Sequence, residues 1–260
     1  MSHEAPPYVE GHALLAGKTV LITAAAGTGI GFAVARRCIE EGARVMISDI
    51  HERRLGEAAD ALAEIAGSRP PAKLCNVTRE EEVRALIDAA LAEFGELDVL
   101  INNAGLGGTA NVVDMTDEQW NAVLDITLTG TFRMTRAVLP HMQERGRGVI
   151  VNNASVLGWR AQVGQAHYAA AKAGVMALTR CSALEAAPFG VRINAVSPSL
   201  ATHPFLAKVT PQEVLDQLTE REAFGRGAEP WEVANVMVFL ASDYASYMTG
   251  ECVAVSSQRA

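Results

Sequence analysis

The chain has little of what a secreted, metal-bound or nucleic-acid-binding protein needs. Its four cysteines, Cys38, Cys75, Cys181 and Cys252, stand far apart, with no CxxC pair and no metal-type spacing to histidine. Neither a disulfide framework nor a metal site is expected. Basic residues are the minority, 22 Lys+Arg against 30 Asp+Glu, for a net charge of −8. A protein that grips a phosphate backbone would carry the opposite balance, so no nucleic-acid partner is expected. No apolar run reaches the roughly 18 residues of a membrane helix. The opening MSHEAPPYVE lacks the basic start and apolar stretch of a secretion signal. A cytoplasmic protein with no membrane partner is the expectation. Lysine is scarce too, which makes each one easier to examine.

What is present is ordinary globular composition: 260 residues, 49% hydrophobic and 20% charged. That length suits one α/β domain. Apolar strand-like runs alternate with helical patterns: Lys18–Thr23, Arg44–Asp49, Lys73–Val77, Leu97–Asn102, Gly148–Asn152, Arg192–Val196 and Glu251–Val255 read as strands. Between them Ile30–Glu41, Leu55–Ile65, Glu80–Phe94, Thr116–Met142, Tyr168–Ala187 and Glu229–Ala241 read as helices. The order predicts a doubly wound, Rossmann-like sheet of about seven parallel strands with helices on both faces, binding ligands at the carboxyl ends of its strands. Residues 1–13 read as a loose arm ahead of a single domain, 14–260.

Two constellations carry chemistry. Thr23–Gly31, TAAAGTGIG, joins the first strand to the first helix, where small residues let the backbone and the helix N-terminus meet a pyrophosphate. Ala24, Gly27, Thr28, Gly29 and Ile30 are its candidate contacts. Asp49 ends the second strand 20 residues after Gly29, where an acid accepts the hydroxyls of an adenosine ribose and repels a 2′-phosphate. NAD is therefore expected over NADP, with Arg53 and Arg54 as the opposing signal. The second set is Ser155, Tyr168 and Lys172. The last two, four apart on a helix, share one face, so an ammonium there is expected to lower the tyrosine pKa for acid–base work. His167, Trp159, Arg160 and Gln162 lie beside them as candidate substrate contacts, and Arg160 could meet an anionic group.

From Leu15 to Val255 the chain resembles the short-chain dehydrogenase/reductase family. The match rests on the Gly-rich turn, on Asn102–Gly105 (NNAG), on the Ser155/Tyr168/Lys172 set and on the closing block Met248–Val255. The resemblance implies that Asn76 and Val77 flank the adenine and that Asn103, Ala104 and Gly105 line the ribose side of the cofactor. It places Tyr168 and Lys172 at the nicotinamide ribose, and Pro198 and His203 near the nicotinamide. Thr202–Phe224 falls where the family keeps a substrate lid.

The departures are specific. Ala24 stands at the family's first glycine and the turn is one residue longer. Thr127 stands where the family has a catalytic asparagine that helps hold a relay water, and it is the expected substitute. Pro198-Ser199 replaces a Pro-Gly, His203 replaces a threonine, and Ser256-Ser257 replace two glycines. SVLGWRAQ, the extended turn and the SSQRA end resemble an actinobacterial branch linked to steroid ring catabolism, whose enzymes act on cyclic hydroxy or keto acyl-CoA thioesters. The expectation is an NAD-dependent alcohol/ketone oxidoreductase on such a substrate, assembled as a homotetramer or otherwise a dimer. Two alternatives stand beside it: an NADPH-dependent 3-oxoacyl-thioester reductase, and a catalytically weak cofactor-binding subunit.

Overall fold

A computed structural model describes residues 4–202, 206 and 212–258. Seven strands, β1 (Thr19–Ile22), β2 (Arg44–Asp49), β3 (Ala72–Leu74), β4 (Val99–Asn102), β5 (Gly148–Asn153), β6 (Val191–Pro198) and β7 (Cys252–Val255), form one sheet. Its order is β3-β2-β1-β4-β5-β6-β7. Every pairing is parallel. The order reverses between β1 and β4, the switch point at which such sheets open a ligand crevice.

Period-2 alternation divides each strand between two cores. Val20, Ile22, Val45, Ile47, Val99 and Ile101 join α1 (Ile30–Glu40), α2 (Glu52–Ala66) and α8 (Pro230–Ala241) in one cluster. Leu21, Met46, Leu100 and Ile150 face the other cluster, with α3 (Glu80–Phe94), α5 (Gly130–Arg145) and α6 (Ala166–Ala186). Buried on both faces, the central strands have no polar side to alternate with, which is why they read as continuous apolar runs.

Three expectations are corrected. Thr116–Met142 is not one regular helix: α4 (Asp117–Leu124) passes through a wider π turn, Asp125–Thr129, into α5. The extra residue rotates Thr127 to a fully buried position. The third strand ends at Leu74, so Asn76 and Val77 lie in the turn beyond it. The N-terminal residues 4–13 form no helix or strand, yet they are tied to α1. Tyr8 packs edge-on against Trp231 at 5.4 Å, lies under the Arg36 guanidinium at 4.7 Å and donates to Glu40. Buried Arg37 donates to the backbone carbonyls of Val9 and Glu10. A buried guanidinium needs such acceptors, and the arm supplies them.

The helix Gln212–Glu220, α7, stands between β6 and α8. His203 lies outside the described residues, as does much of the stretch read as a lid. Among the described residues, no helix is long and apolar enough to cross a membrane.

Candidate active site

The first strand–turn–helix unit builds a phosphate-sized approach. Ala24 adopts φ +51°, a left-handed conformation that favours glycine, and Gly27 follows at φ +96°. The turn is held from below: Asn103 Nδ2 donates to Ala24 O at 2.9 Å, and Thr23 Oγ1 accepts from the Asn103 and Ala104 amides at 3.0 and 3.1 Å. A Cβ on Gly31 would sit 2.3 Å from Ala24 O and 2.5 Å from Asn103 Nδ2, so only glycine lets α1 come this close. Gly29 caps α1 with no side-chain bond to the first amides, leaving donors for an anion.

Beside this turn is a cavity of about 380 Å³ lined by Ala24, Asp49, Asn76, Val77, Ala104 and Gly105, with Arg54 and Ile126 also on its wall. Asp49 Oδ2 accepts from the Ala26 amide at 3.2 Å and Oδ1 from the His51 amide at 3.0 Å. Burial raises its pKa above the ordinary carboxylate value, opposed by the Ala26 amide and by the Arg54 charge. A carboxylate on the wall of a cavity that also carries Val77, Ala104 and Ile126 could receive an adenosine, and the N-terminus of α1 a pyrophosphate.

A second cavity, of about 290 Å³, opens at the carboxyl ends of β5 and β6. Ser155 and Tyr168 line it, together with Ile30, Gln162, Pro198 and a wall of Leu157, Leu200 and Leu218. Ser155 Oγ accepts from the Leu157 amide at 3.2 Å, which fixes the short 3₁₀ turn Val156–Gly158. Lys172 is 3% exposed, and its Nζ donates to Asn153 O at 2.5 Å and lies 5.5 Å from the Tyr168 ring centre.

The electrostatics correct the expectation for the tyrosine. Burial pushes the Tyr168 phenol up to about 12, with a hydrogen bond from Ser155 pulling the other way. Burial likewise pushes the Lys172 ammonium down to about 8. Desolvation is the largest cause of both shifts.

Asn153 joins the two cavities. Its Nδ2 donates to Asn103 Oδ1 at 2.8 Å, its carbonyl receives Lys172, and Asn103 in turn holds Ala24. Cofactor turn and lysine are therefore linked through two amides. Thr127 Oγ1 accepts from the Leu106 amide at 3.0 Å and donates to Leu106 O at 3.2 Å. A Cβ on Gly105 would lie 3.7 Å from that hydroxyl and 3.5 Å from Lys172 Nζ, so all three converge. With its one proton given to Leu106, the hydroxyl keeps only an acceptor lone pair for a water.

The substrate candidates divide. Gln162 lines the second cavity, and Arg160 reaches its rim through a bond to Gln258. Trp159 is half exposed and off the wall. His167 is buried with Nδ1 unpartnered, against Gly108 rather than in the cavity. Leu218 falls within the Thr202–Phe224 stretch read as a lid, whereas sequence reasoning missed Asn153, Leu200 and Gln258. Nothing in their local spacing points to a site; they meet only through the sheet.

The chain is similar to known proteins over nearly its whole length. A family model described as Enoyl-(Acyl carrier protein) reductase matches residues 24–257. The chain is 62% identical over 255 residues to the Mycobacterium tuberculosis (strain ATCC 25618 / H37Rv) (5R,7aS)-5-hydroxy-7a-methyl-1-oxo-2,3,5,6,7,7a-hexahydro-1H-indene-carboxyl-CoA reductase, covering 98% of this chain and 97% of that one. It is 42% identical to cis-4-hydroxycyclohexanecarboxylate dehydrogenase of Sinomonas cyclohexanicum, over 91% of this chain and 94% of that one. A crystal structure of a short chain dehydrogenase from Mycobacterium smegmatis superposes with a TM-score of 0.88 at 61% identity, over 99% of both chains.

Proposed function

The chain belongs to the short-chain dehydrogenase/reductase family, an oxidoreductase of alcohols and ketones that uses a nicotinamide cofactor, and from that premise we propose that it is NAD(H)-dependent and acts on a cyclic hydroxy or keto acyl-CoA of steroid ring degradation. The observation that carries the reading is the second cavity, where Ser155 and Tyr168 stand on a leucine-lined wall beside buried Lys172. An apolar wall of that kind suits the hydrocarbon face of a ring.

The bound nicotinamide would supply or take up the hydride. Ser155 donates to the substrate oxygen and holds it against Tyr168. Tyr168, protonated at neutral pH, gives its proton to a ketone oxygen or, once deprotonated, takes one from an alcohol. Lys172, anchored on Asn153 O, sets the charge beside the phenol. Thr127 acts by pinning Leu106 and leaves an acceptor for a water between itself and Lys172.

Asp49 supports NAD: on the wall of the first cavity its carboxylate receives ribose hydroxyls and repels a 2′-phosphate. Arg54, on the same wall, is the feature favouring NADPH and the 3-oxoacyl-thioester alternative. Within the remaining candidates, Ala24, Gly27, Thr28, Gly29 and Ile30 take the pyrophosphate, Asn76 and Val77 the adenine, and Ala104, Gly105 and Pro198 the sugar and nicotinamide sides. We assign the chain to the cytoplasm and to a tetramer, otherwise a dimer; half-exposed Phe132 and Trp120 and exposed Leu184 are apolar surface for a partner copy. The test is direct. Enzyme, NAD+ and cis-4-hydroxycyclohexanecarboxyl-CoA should generate the NADH absorbance band; the same rate with NADP+ would sink the cofactor assignment.

A further inference from the structure

The segment after β7 returns to the second cavity and brings Gln258 to its wall. Ala223 N–H donates to Ser257 O at 2.7 Å, and Glu222 pairs with Gln258 as an antiparallel bridge. Glu222 is 3% exposed; its Oε2 accepts from Ser257 Oγ at 2.8 Å and its Oε1 from the Leu200 amide at 3.3 Å. One buried carboxylate thus fastens the end of β7 to the loop after β6. Those two stretches supply Gln258 and Leu200 to the wall that also carries Ser155 and Tyr168.

The Gln258 side chain is itself oriented. Arg160 Nη1 donates to its Oε1 at 2.6 Å, while its own backbone N–H donates to Ser256 Oγ at 3.0 Å. With the carbonyl end occupied by a guanidinium, the amide's two Nε2 hydrogens are what it offers a ligand. Leu157, Leu200 and Leu218 give that wall its apolar face, with Gln162 as another amide side chain on it; a polar group placed against such a face selects among substrates of the same shape.

We propose that Gln258, oriented by Arg160, is a specificity-determining residue that donates a hydrogen bond to a second oxygen of the substrate, the carbonyl of a ketone, carboxylate or acyl group lying across the ring from the reacting hydroxyl. This rests on the oxidoreductase reading of the Ser155/Tyr168 cavity and adds a second point of recognition to it.

The experiment compares three NAD+-linked substrates on one ring: 4-hydroxycyclohexanone, cis-4-hydroxycyclohexanecarboxylate and cis-4-methylcyclohexanol. Wild type prefers the two oxygen-bearing rings. Gln258→Ala lowers kcat/KM for them about tenfold, through KM, and changes the methyl compound less than about twofold. Gln258→Glu keeps the size of the side chain and its partner Arg160 but loses the donors. It shows the same loss on the ketone and a larger one on the carboxylate. Melting temperature and NAD+ affinity stay at wild-type values in both. An unchanged preference, a uniform loss on all three, or a loss in kcat alone overturns the inference while leaving the oxidoreductase reading intact. No turnover of any of the three, nor of cis-4-hydroxycyclohexanecarboxyl-CoA, with either nucleotide overturns that reading and the inference with it.

Discussion

Replacing Lys172 by Met should separate the lysine's contribution to catalysis from its cost to the fold. The ammonium is 3% exposed, with its pKa pushed from 10.5 to about 8 by burial. Each tenfold loss of proton affinity is about 1.4 kcal/mol, so the buried charge costs the folded state about 3 kcal/mol at neutral pH. The bond to Asn153 O offsets part of that, since Met leaves the carbonyl without this partner at about 1–3 kcal/mol. At pH 7 the variant should therefore be as stable as wild type or up to about 2 kcal/mol more stable.

The pH dependence is the sharper reading. The folded-state pKa is depressed below the unfolded one, so the unfolded chain binds the extra proton between the two values. Wild-type stability should then rise as pH climbs from the folded value of about 8 toward 10.5. Between pH 7 and pH 9 the gain is about 1 kcal/mol, or roughly 2–4 °C in Tm for a chain of this size. Lys172→Met should lack that gain. Thermal unfolding of both proteins at several pH values measures it, and the difference between them cancels every other titrating group. A difference that stays constant from pH 7 to pH 9, or one in which wild type loses ground as pH rises, would refute the reasoning.

Other substitutions address the remaining groups. Calorimetry should give NAD(H) at least about tenfold tighter than NADP(H), about 1.4 kcal/mol, and Asp49→Ala should narrow that gap; equal affinities in wild type contradict the role of Asp49. Thr127→Val leaves Leu106 N–H and C=O without their hydroxyl and should cost about 1 kcal/mol of stability together with a several-fold fall in turnover. A fully active Thr127→Val enzyme with unchanged Tm would remove the residue from the account. Light scattering at micromolar concentration should report a multiple of the 27.6 kDa chain; a monomer would contradict self-association.

The parts legible in the sequence are those encoded by short, local patterns. TAAAGTGIG, Asp49 and the Tyr168/Lys172 spacing each sit within one turn or strand, so composition and period place them on the correct elements. The apolar period of Thr116–Met142 runs on through Asp125–Thr129, and nothing in it marks the π turn that buries Thr127. The pKa directions depend on burial, and a period of four says nothing about how dry a helix face is. The Ala24–Asn103–Asn153–Lys172 chain and the Arg160–Gln258 pair join residues far apart in sequence, and their meeting is a product of strand order.

The role of the Tyr168 hydroxyl is tested by turnover of a cyclic secondary alcohol by wild type and Tyr168→Phe, with NAD+ affinity measured alongside. Phe keeps the ring and removes only the hydroxyl that exchanges the proton. NADH formation should fall by about 10²–10⁴ while NAD+ affinity stays within a factor of about two. A Tyr168→Phe enzyme that forms NADH at the wild-type rate would contradict that role.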